Sequence, residues 1–324
     1  MKAVMCRKFG PPRELAVEDV PSLKAGPGQV VIAVKACGVN FPDTPIVEGK
    51  YQFKPDPPFS PGGEVAGVVQ EIGEGVSGVK VGDRVAAMTI FGGFAEQVAA
   101  GASQLIPLPD GLDLAVAACS MMTYGTTWHA LVDRAQLRAG ETLLVLGAAG
   151  GVGLAAVEIG KQLGARVIAA ASSPSKLELC RKYGADASIE YTREDLKQKV
   201  KELTGGNGAD VVYDPVGGPS TEAALRGTGW NGRVLVIGFA SGEIPKIPAN
   251  LLLLKGASLV GVFWGQFMMR EPARGRAQLV EILERVRDGK LRPHISGRYP
   301  LSDAPRALEE IADRKVQGKL VLIP

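Results

Sequence analysis

The sequence predicts an α/β protein of two parts: a β-rich part, and a doubly wound parallel sheet inserted before the chain returns to finish the first. Three observations carry this. Up to about residue 110, short β-branched runs alternate with Gly/Pro punctuation. From Glu141 onward, apolar runs alternate with stretches of helical periodicity. The last run, Lys319–Ile323, reads as a strand with no partner nearby in sequence, so it must pair with the earlier part.

Taken in order, Val30–Cys37 is a β-branched run opened by Gly26-Pro27-Gly28, and Glu64–Val69 is another, closed by Gly73 and Gly75. Asp83–Met88 and Phe94–Val98 follow, the second after Gly92-Gly93. Strands this short and closely spaced suggest a small irregular barrel or sandwich. Then Leu143–Leu146 predicts a buried strand and Gly151–Leu163 a helix. Arg166–Ala170 is a second strand, and Pro174–Tyr183 a helix with proline at its start. Strands at Ser188–Tyr191, Asp210–Tyr213, Arg233–Ile237 and Leu259–Val262 continue the alternation, with a helix over Glu194–Leu203. An amphipathic helix over Ala273–Arg287 precedes the final strand.

Composition narrows the function. Lys+Arg 37 against Asp+Glu 34 leaves +3, too balanced for a chain built around nucleic acid or an anionic membrane. Cys6, Cys37, Cys119 and Cys180 form no CxxC pair, and two histidines, His129 and His294, are few for metal or nucleophilic chemistry. The uncharged stretch Leu114–Val132 approaches the roughly 20 residues of a membrane span, but its hydroxyls, glycine and His129 read better as buried helix and loop. Arg7 and Lys8 stand where a signal peptide needs an apolar run, so the expectation is a soluble, cytoplasmic protein. Glycine is the outlier, 42 of 324 residues against a usual share of about 7%.

Several of those glycines form one motif. Gly147-Ala-Ala-Gly150-Gly151-Val152-Gly153 follows a predicted strand and opens a helix. Without side chains at Gly150 and Gly151, a pyrophosphate can reach the backbone N–H groups at the helix N-terminus. Without one at Gly153, helix and strand pack closely. The next strand discriminates between dinucleotides. An NAD site commonly places Asp or Glu about 20 residues on, for the ribose 2′-OH. Here Ala171-Ser172-Ser173-Pro174-Ser175-Lys176 has no carboxylate, whereas the Ser172 hydroxyl and Lys176 ammonium suit a 2′-phosphate. The expected cofactor is NADPH. Ser173 reads equally as the cap of the helix that follows.

At this point the chain resembles a known family over nearly its whole length. The matching segments are Ala36-Cys-Gly-Val-Asn40 with Asp43, Pro61-Gly-Gly-Glu64, Val81-Gly-Asp-Arg-Val85, Gly93-Phe-Ala-Glu96 and the glycine loop. They continue with Gly184-Ala-Asp186, Val211-Val-Tyr-Asp214 with Gly217-Gly218, and Ile237-Gly-Phe239. In order and spacing they are similar to the zinc-free NADPH:quinone oxidoreductase branch of the medium-chain dehydrogenase/reductase superfamily, which includes ζ-crystallin. The resemblance implies a GroES-like catalytic domain over 1–122 and 262–324, a Rossmann domain over 123–261, an active site in the cleft, and a homodimer.

It also implies site residues. Asn40 and Thr126 fall near the nicotinamide end, Gly150, Gly151 and Val152 at the pyrophosphate, and Ser172, Lys176 and Tyr191 near the 2′-phosphate and adenosine. Phe239, Phe263 and Trp264 fall in loops on the nicotinamide side, and Lys319 in the tail reaches the cofactor. Asn40, Thr126 and Tyr51, which matches a tyrosine common near the substrate, are the candidate catalytic residues. Zinc enzymes of the superfamily hold their catalytic metal where this chain has Asn40, Gly63 and, nearby, Ser120, and they carry a four-cysteine lobe that Ala86–Gly92 is too short to hold. No metal is expected. The implied activity is hydride transfer to quinones or other conjugated carbonyls. The alternatives are an enoyl-thioester reductase and a non-catalytic, crystallin-like or RNA-binding protein.

Overall fold

A computed structural model describes residues 1–324. The chain divides into two compact units: Met1–Met122 with Ala273–Pro324, and Thr123–Pro272. In the first, β1 (Lys2–Met5) and β2 (Ala16–Asp19) make an antiparallel ribbon. β3 (Gln29–Val39) is the longest strand and is buried along most of its length, because it has neighbours on both sides. It pairs antiparallel with β4 (Glu64–Ile72), and two bulges in that pairing bend the sheet. β5 (Arg84–Met88) continues from β4, β6 (Gln97–Gly101) returns to β3, and β7 (Leu105–Pro107) closes on β5. The strand expected at Phe94–Val98 begins three residues later. Gly93 and Phe94 instead donate their N–H groups to Gly62 and Pro61, fastening that turn onto the segment before β4.

The second unit is the βαβ alternation read from the sequence. β8 (Thr142–Leu146), β9 (Arg166–Ala171), β10 (Ala187–Glu190), β11 (Ala209–Asp214), β12 (Thr228–Val236) and β13 (Ser258–Gly261) form one sheet in the order 10-9-8-11-12-13. All five pairings are parallel. Helices lie in the crossovers, so Leu143, Leu144, Val145 and Leu146 are all buried rather than alternating in and out. The order reverses between β8 and β11, which is where doubly wound sheets bind ligands, at the carboxyl ends of their strands.

The chain then returns to the first unit through the helix Pro272–Arg287. β14 (Ile295–Pro300) pairs parallel with β15 (Lys319–Ile323), and β15 pairs antiparallel with β3, Leu320 facing Val39. The orphan strand thus finds its partner 280 residues upstream. The return falls at Ala273 rather than at 262. The intervening helix Trp264–Arg270 belongs to the second unit, where the Phe267 ring stacks on His129 with centroids 4.3 Å apart and Trp264 lies against Gly125. The uncharged stretch 114–132 breaks into helices Leu114–Ala117 and Met121–Trp128 and a π-helical turn from His129, and no helix in the chain is long and apolar enough to cross a membrane.

Candidate active site

In the first unit, the ends of three strands bring four polar residues together in the interior. Asn40 follows β3, Glu64 opens β4 and Lys319 opens β15. Asp43 starts the short helix Asp43–Val47. All four are at most 5% exposed, and Glu64 is at 0%. A buried carboxylate has to be both paired and hydrogen-bonded, and this one is. Its Oε1 accepts the Met122 N–H at 2.9 Å, while Oε2 accepts the Asn40 amide at 2.9 Å and the Lys319 ammonium at 3.1 Å. Lys319 also donates to the Val39 carbonyl at 3.0 Å and to Asn40 Oδ1. Removing one member of such a pair strands the other and costs about 3–5 kcal/mol.

Asp43 Oδ2 accepts the backbone N–H of Asn40 at 2.8 Å, which fixes the turn out of β3. Burial raises its carboxyl to about 7, against the lowering effects of that N–H and of Lys319. The phenol of Tyr51, half-buried, is raised by burial and by Asp43, so it stays protonated at neutral pH and remains a donor. Burial pushes the thiols of all four cysteines up, Cys119 and Cys180 to about 12, which leaves none as a nucleophile.

The donor set does not fit zinc. Asn40 brings an amide already shared between Glu64 and Lys319, and the Ser120 hydroxyl donates to the Val116 carbonyl at 2.6 Å. Gly63 closes against backbone: a Cβ there would lie 2.8 Å from the Ile90 carbonyl oxygen, leaving no room for a histidine.

In the second unit, the glycine turn lies at the reversal of strand order. Gly150 caps the helix Gly151–Gln162, and a Cβ at Gly153 would sit 2.2 Å from the Gly147 carbonyl oxygen. Beside it, Asp214 organises the turn after β11, accepting the N–H groups of Val216 and Gly217 and the Thr221 hydroxyl. At the end of β9, the Lys176 ammonium donates to Ser172 Oγ at 3.1 Å, both half-buried. Ser173 does cap the helix Pro174–Lys182, accepting the Lys176 N–H. Tyr191 is exposed, and its N–H donates to the Ala171 carbonyl, so it stands beside Ser172.

The other expected residues divide. Thr126 is half-buried on the helix Met121–Trp128, while its neighbour Thr127 is buried, bonded to Tyr213 at 2.8 Å and to the Val152 carbonyl at 3.2 Å. Trp264 is buried and Phe263 beside it is 46% exposed; Phe239 is half-buried against Gly217. Sequence reasoning missed Glu64 as the partner of Asn40 and Lys319, the Thr127–Tyr213 bond, and the buried 2.8 Å bond from the Tyr124 hydroxyl to Glu158. Glu64 and Tyr213 lie inside the matched motifs. A charged residue opening the otherwise apolar run Glu64–Val69 was the available signal for Glu64.

Two family models match the chain, one described as the alcohol dehydrogenase GroES-like domain, over residues 26–110, and one as zinc-binding dehydrogenase, over residues 151–282. The second includes none of Asn40, Gly63 and Ser120. A quinone oxidoreductase-like protein 2 homolog from Nematostella vectensis is 43% identical over 99% of this chain and 88% of its own length. A mycobacterial structure complexed with NADPH is 33% identical, with a TM-score of 0.93 and 100% of both chains covered. The Escherichia coli quinone oxidoreductase complexed with NADPH is 30% identical, with a TM-score of 0.91 and the same coverage.

Asp43 generates a test by pH. Its folded-state value near 7 lies above the ordinary 3.8, so the folded protein holds this proton more tightly than the unfolded chain does. Its contribution to stability is therefore greatest below about pH 4 and is lost as pH rises through about 7. Asp43→Asn keeps an oxygen for the Asn40 N–H and cannot ionise. Denaturant melts should show the wild type losing a few kcal/mol at most relative to Asp43→Asn between about pH 5 and about pH 8. Parallel curves would contradict the assignment.

Proposed function

The chain belongs to the quinone oxidoreductase family of the medium-chain dehydrogenase/reductase superfamily, and from that premise we propose that it reduces quinones and other conjugated carbonyls with NADPH, without a metal. The observation that carries the cofactor is the Ser172–Lys176 pair at the end of β9, a hydroxyl and an ammonium where an NAD site has a carboxylate. Gly150, Gly151 and Val152 would receive the pyrophosphate at the helix start, with Tyr191 against the adenosine side. Asn40, Thr126, Phe239, Phe263 and Trp264 would serve the nicotinamide end.

NADPH bound there supplies a hydride, and the protein's own groups supply position and environment. The donor set offers no Lewis acid to polarise a saturated ketone or an alcohol. The acceptor must therefore arrive electron-poor and spread its new charge onto oxygen, as a quinone or enone does. The Tyr51 phenol, protonated at neutral pH, is a hydrogen-bond donor for that oxygen. The proton that completes the hydroquinone comes from solvent.

The other readings have less to stand on. An enoyl-CoA reductase wants a basic patch for the CoA phosphates, yet on the helix Pro272–Arg287 Arg285 pairs with Glu281, and Arg287 pairs with Asp288. RNA binding is opposed by the balanced charge of +3. We assign the protein to the cytoplasm, a reducing compartment that suits four cysteines outside disulfide bonds. We assign it also as a homodimer. β13 is an edge strand paired only with β12, and in its unit Trp230, Leu253 and Leu254 are each at least 70% exposed, an edge and apolar surface for a second copy to cover.

Two experiments test this reading. A screen should find NADPH oxidation with quinones and enones and almost none with acetone, and almost no NADP+ reduction with ethanol; robust alcohol or simple-ketone turnover would sink it. Lys176→Ala should weaken NADPH by about ten- to a hundred-fold while NADH changes little, since a hydrogen bond to a charged group contributes roughly 1.5–3 kcal/mol. Equal losses for both cofactors in a binding titration would remove Lys176 from the 2′-phosphate.

A further inference from the structure

An asparagine side chain has two N–H donors and an oxygen with two lone pairs, and at position 40 nearly all of these are committed. One N–H goes to Glu64 Oε2 at 2.9 Å and the other to the Gly38 carbonyl at 3.3 Å, while Oδ1 accepts from Lys319. Lys319 is committed completely: its three hydrogens go to Val39, Glu64 and Asn40. Turning the amide over would set its N–H groups against an ammonium and its oxygen against a carboxylate. Charge on both sides thus selects one orientation, in a site where Asn40 is 5% exposed. What remains unspent in the cluster of Asn40 and Lys319 is one lone pair on Asn40 Oδ1.

We propose that Glu64 and Lys319 are positioning residues that hold the Asn40 amide so that its oxygen alone is offered to a bound ligand, making Asn40 an acceptor for an N–H or O–H group. Lys319 then has no hydrogen left for a ligand and acts through Asn40. In naming the ligand the proposal rests on the reductase reading. Three kinds of group there can donate: the carboxamide of the nicotinamide, the hydroxyls of the nicotinamide ribose and a hydroxyl of the reduced acceptor. An oxidised quinone has only acceptor oxygens, so Asn40 does not hold it.

The pair is best removed as a unit, because Glu64→Gln with Lys319→Met strands no charge. In that double variant the glutamine oxygen still accepts the Met122 N–H and its NH2 faces Asn40. The amide of Asn40 then turns over and presents a donor. With NADPH and 1,4-benzoquinone, Asn40→Ala and the double variant should each lower kcat/KM by about ten-fold. The triple variant should be no worse than Asn40→Ala, because all three changes act through one amide. Multiplied losses in the triple variant would overturn the proposal and give Lys319 a direct role. Repeating the cycle with the reduced 3-acetylpyridine analogue of NADPH, which lacks the carboxamide N–H, separates the carboxamide from the hydroxyls: the Asn40 effect vanishes if the carboxamide is the donor and persists if a hydroxyl is.

A second readout needs no activity. In 15N-labelled protein the Asn40 side-chain N–H2 should be protected from hydrogen exchange in the wild type and lose that protection in the double variant. Free exchange in the wild type would overturn the proposal even if the double variant fails to fold. A protected amide in a protein that oxidises no NADPH with any quinone would instead leave the orientation standing and remove the reductase reading.

Discussion

Two opposite charges, Glu64 and Lys319, meet at 3.1 Å inside the first unit, separated by 255 residues of chain. Neither is tolerable alone in that position. Glu64 is fully buried and Lys319 nearly so; the other two hydrogens of Lys319 go to the Val39 carbonyl and Asn40, and Glu64 also accepts from Met122 and Asn40. The pair therefore constrains more than itself. It requires the last strand to return to β3, it sets the side-chain amide of Asn40, and its charges act on Asp43, whose carboxylate in turn anchors the turn that leaves β3. A hydrophobic pair of similar volume would have packed there at less cost in desolvation. What an ion pair adds is direction: it orients an amide, which an apolar pair cannot do.

The second unit achieves its order in another way. Its central strands carry apolar runs such as Leu143–Leu146 and Val167–Ala170, its pairings are all parallel, and polar groups gather in the turns at the carboxyl ends of three strands. The glycine turn after β8, the Asp214 turn after β11 and the Ser172–Lys176 pair after β9 are each held by short-range bonds. Buried bonds from Thr127 to Tyr213 and from Tyr124 to Glu158 fasten the helix Met121–Trp128 to the same sheet and to the glycine helix. The bonds within these turns place donors without the long chain closure that the first unit needs.

That contrast explains what could be read from the sequence. The βαβ alternation is a local pattern, so β8 to β11 and the helices between them were legible, as was the serine–lysine pair, which lies within five residues. β15 was legible as a strand without a partner. The short strands β1, β2, β7 and β14 were not, since each is three to six residues long and carries too little periodicity to stand out. The helix Trp264–Arg270 lies in the second unit, past the boundary at 261 that the resemblance implies, because what holds it is the contact of Trp264 and Phe267 with Gly125 and His129, far upstream. Asn40 and Lys319 were legible one at a time, through family motifs. Their connection through Glu64 was not, because a bond across 255 or 279 residues leaves no trace in local pattern.

The most direct measurement of the central claim is the coupling between the two charges in unfolding free energy, from Glu64→Gln, Lys319→Met and the double variant. Each single change strands its partner and should cost about 3–5 kcal/mol. The double variant should cost clearly less than the sum, with a coupling of about 2 kcal/mol or more. Additive losses would mean that the two residues act independently, and the ion pair would no longer account for the return of the last strand or for the orientation of Asn40.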